Sequence, residues 1–309
     1  MKQDRLWLTF ITLAISTSLW GTAFIAGKYA VESFEPITVA FLRFLIATLI
    51  LFPYMRYREK NIPKPTLKDW GLFAALGLTG IAIYNICFFM ASKHAPVIKS
   101  SLLIASNPVV ITILAGLLLK ERISKRHIIS MAMALLGVGY IISQGDLGTI
   151  LGLRFEFIDL ILLGAVLSWA AYSIVGKVVL NKFNSVVSTT YACAFGTLFL
   201  LPFTVMETTW TDIVEASMPA WLSIMHMSVF VTVISFIMYY NGIQKIGASK
   251  ASIFINVMPV SAVVLSVLML GEQFKLYHFI GAMMVLGGVY ISTMKPRKLT
   301  GQGPARKLG

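Results

Sequence analysis

The residues able to do chemistry are few, and their arrangement suits binding and movement better than bond-making. His94, His127, His226 and His278 fall in different apolar runs or loops with no paired metal-ligand spacing. There is no G-x-S-x-G elbow, no Walker phosphate loop and no acidic pair inside an apolar run, so no catalytic residue, metal site or cofactor is expected. The same absence excludes an ATP-driven pump within this chain. Cys87 and Cys193 both lie in apolar runs at unrelated positions, which argues for packing and against a disulfide framework.

What remains is a set of polar and cationic side chains embedded in apolar sequence. Arg43 sits about six residues, or roughly 9 Å of helix, into a long apolar run. A guanidinium facing lipid centrally costs about 2.5–3.5 kcal/mol, so Arg43 is expected to face protein or a wet cavity, as an ion-pair or carbonyl-capping group, or to touch substrate. Snorkelling is the alternative. Lys28 and Lys177 each end an apolar run, where they either snorkel to water or stand at a mouth of a pathway. Ser228, Thr232, Ser235 and Tyr239, spaced four, three and four, form one helical face. Such a stripe lines a pore or bonds across a helix contact. Comparable lines run through Ser16, Trp20, Ala23 and Gly27, and through Ser249, Ser252 and Asn256. Pro108 and Pro259 each remove a helical hydrogen bond, beside Ser106-Asn107 and near Asn256, as a static kink or a hinge. Glu121 and Glu272 close the same runs as interfacial caps or, on a less favoured reading, proton carriers. Phe24, Tyr84, Phe88, Trp169, Tyr172 and Tyr239 are either ordinary core or the wall of an amphipathic cavity.

These residues must be positioned by membrane helices. Of 309 residues, 57% are hydrophobic and 13% charged, with a mean hydropathy of +0.81. A water-soluble globule carries about twice that charged fraction. Apolar runs predict ten spans at about 6–31, 37–55, 69–91, 99–119, 127–143, 157–179, 186–206, 219–241, 250–270 and 277–294. Arg56, Arg58, Lys60, Lys64 and Lys68, then Lys120, Arg122, Lys125 and Arg126, then the tail 295–309 place alternate loops and both termini in the cytoplasm. This distribution accounts for the net charge of +13 without nucleic acid.

The chain also repeats itself. Trp20, Gly27 and Lys28 recur 149 residues later as Trp169, Gly176 and Lys177; from Trp70 and Trp221 onward the offset is 151, pairing Pro108 with Pro259, Glu121 with Glu272 and Gly137 with Gly288. Each half holds five crossings, an odd number, so the second copy enters from the opposite side. The expected fold class is an all-α membrane protein of ten transmembrane helices in two inverted five-helix repeats, 1–143 and 157–294, with a basic cytoplasmic tail at 295–309.

W-G-x-x-F-x-x-x-K in the first span, F-L-R-F-L-I-A in the second, N-P in the fourth with L-L-L-K-E-R at its end, and M-P-V with L-G-E-Q in the ninth together resemble the drug/metabolite transporter superfamily, in its EamA-like branch. The resemblance covers about 8–294. It implies a secondary transporter or exporter of small metabolites in a bacterial inner membrane, with a pathway lined mainly by helices one, three, four, six, eight and nine. The leading expectation is a proton-linked or facilitated exporter of small amphipathic metabolites such as amino acids. The runner-up is an exchanger of anionic or phosphorylated metabolites, using Lys28, Arg43 and Lys177; a non-transporting membrane protein is a more distant alternative. The expected partners are a small-molecule substrate and the bilayer, with neither ATP nor nucleic acid. Gly137, Gly139, Gly281 and Gly288 suit close helix packing, within the monomer or in a homodimer.

Overall fold

The computed structural model describes residues 4–94, 103–152, 156–270 and 273–294. Glu272 and the tail 295–309 lie outside the described residues. Every regular element among the described residues is helical, as lipid demands of a chain that must satisfy its backbone within each segment. Nine helices among them are long and apolar enough to cross a membrane, and a further apolar helix, Leu103–Leu118, is shorter.

We number the helices α1 (Asp4–Ala30), α2 (Pro36–Arg58), α3 (Leu67–Leu76, Gly77–Ile83 and Tyr84–His94 in succession), α4 (Asn107–Leu118), α5 (Lys125–Ile142) and α6 (Phe157–Val179). They continue as α7 (Ser185–Glu207), α8 (Met218–His226, Met227–Ile234 and Ser235–Ile246), α9 (Ala248–Ser252, Ile253–Asn256 and Val257–Leu270) and α10 (Leu276–Thr293). Polar residues cap the helix starts: Thr66, Ser124, Asn184 and Ser217 accept hydrogen bonds from first-turn amides of α3, α5, α7 and α8. Thr66 and Ser217 are 151 residues apart. Two short helices, Leu147–Leu151 and Trp210–Val214, occupy loops that the hydropathy pattern leaves unassigned.

The contacts keep the pattern of the duplication. α2 packs on α7 and α5 on α10, each against its own repeat image. α1 packs on α8 and α9, and α6 correspondingly packs on α3 and α4. Exchanging the halves leaves this neighbour list unchanged.

Four expected continuous spans are interrupted. In α3 and α8 a π-helical stretch replaces α-helix at Gly77–Ile83 and Met227–Ile234, in register with the offset of 151. The wider turn leaves backbone carbonyls that side chains take up: the Ser235 hydroxyl donates to the carbonyl of Phe230 five residues back at 2.8 Å, and the Asn85 amide donates to Ile81 at 2.6 Å. In α9 a 3₁₀ turn, Ile253–Asn256, precedes the segment containing Pro259. Pro108 likewise stands in the first turn of α4, just after a break at Ser106, where a missing amide costs nothing. Both prolines therefore begin a helical segment after a break.

The contact between α5 and α10 relies on absent side chains. A Cβ on Gly137 would lie 2.7 Å from the Gly281 carbonyl oxygen, and one on Gly288 would lie 2.6 Å from that of Ser130. These glycines let two backbones approach within one chain. Gly137→Leu should therefore lower thermal stability in detergent by about 1–3 kcal/mol, the usual cost of overpacking; an unchanged melting curve would contradict this packing.

Candidate functional site

A cavity of about 350 Å³ lies between the halves, walled by α1, α2, α3 and α4 on one side and by α6, α8 and α9 on the other. Much of its wall is aromatic, including Trp20, Phe44, Tyr84 and Trp169. The π-helical stretches sit at this wall, since Gly80, Tyr84 and Asn85 of α3 and Met227, Val231 and Phe236 of α8 all line it. Gly80 has no side chain because the Tyr172 ring fills the space behind it, 2.1 Å from where a Cβ would stand.

Among the described residues, two charged side chains line the cavity, Lys28 and Arg43, and both are cations. Arg43 is half-buried. Its Nε donates to the buried Thr232 hydroxyl at 2.6 Å, and its guanidinium lies over the Phe44 ring at 4.8 Å. Thr232 thus fixes the edge of the guanidinium from the opposite half while Phe44 supports its face. Lys28 and Phe24 mark the exposed mouth, at the C-terminal end of α1.

The two halves are tied together on both sides of the cavity: on the mouth side the Ser33 hydroxyl donates to that of Ser217 at 3.1 Å and Phe34 meets Trp221 edge to face at 5.3 Å. Trp20 meets Trp169 edge to face at 5.4 Å and Tyr239 at 5.0 Å, and Trp169 meets Tyr84 at 5.1 Å. Beyond this aromatic layer, at the end carrying the basic loops after α2 and α4, Lys177 Nζ joins α6 to α8 within the second half, donating to the carbonyls of Ile243 and Gln244 at 3.1 and 3.2 Å. There the Glu121 carboxylate accepts from the Ala248 and Ser249 amides at 2.9 and 3.1 Å. Gly247, with φ of 90°, makes the left-handed turn that presents those amides. His127 Nε2 lies 2.9 Å from Ser249 Oγ and 3.2 Å from Thr112 Oγ1, joining α4, α5 and α9 in one buried network. Between α1 and α8, Ser16 donates to the Ser235 carbonyl at 2.8 Å and Thr22 meets His226 at 2.8 Å.

The sequence profile of the EamA-like transporter family matches residues 7–143 and again 156–294. The chain belongs to the EamA-like transporter family. Its curated relatives include the "Uncharacterized transporter YetK" of Bacillus subtilis (strain 168), 31% identical over 94% of this chain and 88% of the relative. "Uncharacterized transporter YyaM" of the same organism is 28% identical over 94% and 93% of the two chains. A solved structure described only as "Crystal structure of protein" shares the fold with a TM-score of 0.76 at 19% identity, over 93% of this chain and 98% of that one. The family places the chain in the drug/metabolite transporter superfamily, as a transporter and a multi-pass protein of the cell membrane.

In this EamA-like chain, Trp20, Phe24, Lys28, Arg43, Tyr84, Asn107 and Trp169 come together at the cavity wall. The polar stripe of α8 does not. Ser228 donates to the Ile224 carbonyl, Thr232 holds Arg43, Ser235 closes the π-helical stretch, and Tyr239 packs beneath Trp20. The π-helical stretch turns Met227, Val231 and Phe236 toward the cavity instead. Ser252 and Asn256 are buried in α9, where Ile255 and Met258 form the wall. Tyr172 lies behind Gly80, while Lys177 and Glu121 act at the basic end. Asn85, Phe44 and Phe236 are wall residues that periodicity passes over; α2 as a whole is absent from the helices expected to line the pathway. If Glu121 clasps α9, Glu121→Ala should accelerate amide hydrogen exchange at Ala248 and Ser249 by about tenfold or more. Unaltered exchange there would contradict the clasp.

Proposed function

We propose that the protein is a secondary transporter that exports small amphipathic metabolites, amino acids among them, by alternating access about the cavity between its halves. The reading rests on ten crossings in two inverted repeats, with both termini in the cytoplasm of a bacterial cell. The observation that carries it is a cavity walled by both halves, with an exposed mouth at one end and the Glu121 carboxylate of one half bonded to the α9 amides of the other half at the opposite end.

The two lysines support the alternation. Lys177 caps the carbonyl end of α8 at the basic end, whereas its repeat partner Lys28 is exposed at the mouth and bonds to no described residue. Subtracting 151 from Ile243 and Gln244 gives Ser92 and Lys93, at the end of α3. In the opposite state Lys28 would cap those carbonyls and Lys177 would stand free. With positively charged loops inside, the present arrangement is the outward-facing one. The described wall contains no carboxylate to carry a proton, which supports facilitated movement or exchange.

The cavity is of a size for one small molecule, and its aromatic wall suits an apolar portion. Purified protein in liposomes should move members of a broad metabolite panel that empty liposomes retain. No flux for any member, with or without a pH gradient, would sink this reading.

A further inference from the structure

We infer that the transported molecule carries an anionic oxoacid group, a carboxylate or a phosphate, which the Arg43 guanidinium binds while Thr232 and Phe44 hold that guanidinium in place. The inference rests on the transport reading above and adds the class of substrate.

Three observations carry it. First, the charges lining the cavity are Arg43 and Lys28, and neither Asp nor Glu appears among the described lining residues. A guanidinium partly removed from bulk water without a carboxylate beside it is under-compensated, and a bound anion supplies the missing partner. Second, the fork is oriented. Arginine carries five N–H donors; the Nε donor is taken by Thr232 and the ring face by Phe44, which leaves both Nη groups without a described partner at the cavity wall. Paired Nη donors match the two oxygens of a carboxylate or phosphate. Third, the arrangement departs from the duplication. Arg43 corresponds to Ala192 and Thr232 to Ile81 at the respective offsets of 149 and 151, so the bond between them is not part of the symmetric framework that builds the bundle.

The remaining wall completes the specificity. Phe24, Tyr84, Phe88 and Trp169 offer apolar surface to the rest of the molecule. Lys28 at the mouth adds a second positive charge on the way in or out.

The test pairs acids with their neutral counterparts in liposome flux: carboxylates, phosphate esters, and the corresponding amides or alcohols. Flux should be confined to one or both anionic arms, and which arm identifies the source of the anion. Arg43→Gln should lower it by about tenfold or more, and Thr232→Val by a smaller factor expressed mainly in KM. Amides moving as fast as their parent acids, or an acid preference that survives Arg43→Gln, would overturn the inference while leaving transport intact. Absence of all flux would sink the transport reading first, so binding is read separately through quenching of intrinsic tryptophan fluorescence in detergent by phenylacetate, phenyl phosphate and phenylacetamide. Tighter binding of either anion than of the amide, by about tenfold, supports the inference. Equal binding, or no binding of either anion, overturns it.

Discussion

Two indoles, Trp20 and Trp169, meet between the halves at 5.4 Å, and the remainder of the bundle is arranged about that contact. They occupy the same position in the two copies of the repeat. A residue touches its own repeat image only near the axis relating the copies, so this pair fixes how one half sits on the other. Large rings packed there with Tyr239, Phe236 and Tyr84 bury much apolar area and form a layer across the middle. The cavity lies on one side of that layer, and the bonds from Lys177 and Glu121 lie on the other.

Around this centre the framework is symmetric and the interior is not. Helix neighbours, the π-helical stretches and the Thr66 and Ser217 caps repeat in register. The groups that give the cavity its charge and hold it in place do not: Arg43 answers to Ala192, Thr232 to Ile81, and the exposed Lys28 to the engaged Lys177. In the proposed cycle, a symmetric framework permits two related states of similar energy, while asymmetric side chains decide what is held between them. Glu121 belongs to the framework, as a carboxylate acceptor at the amide end of α9.

Much of the helical framework is legible in the sequence, because the requirement for long apolar runs is written residue by residue. Helices α6, Phe157–Val179, and α7, Ser185–Glu207, fall within a residue of the hydropathy boundaries. Trp20 and Trp169 are legible as wall residues because the repeat singles them out. The orientation of α8 is not legible. A period of 3.6 places Ser228, Thr232 and Ser235 on a single face, but the π-helical turn at Met227–Ile234 shifts the register, and nothing in M-S-V-F-V-T-V-I announces it. The break before α4 is visible only as Asn107-Pro108, which reads equally as a kink. The cost of its charge points Arg43 toward protein or a wet cavity; its tie to Thr232, nearly two hundred residues away in sequence, depends on tertiary packing that no local pattern encodes.

The central claim is that the space between the halves opens to each side of the membrane in turn. A single cysteine at Ala23, which lines the cavity one turn from Trp20, placed in a protein with Cys87 and Cys193 replaced by serine, tests it most directly. In sealed vesicles of either orientation, a membrane-impermeant thiol reagent should reach this cysteine from both faces, and a transported molecule should slow the reaction from both. Labelling from one face alone, or from neither, would contradict alternating access.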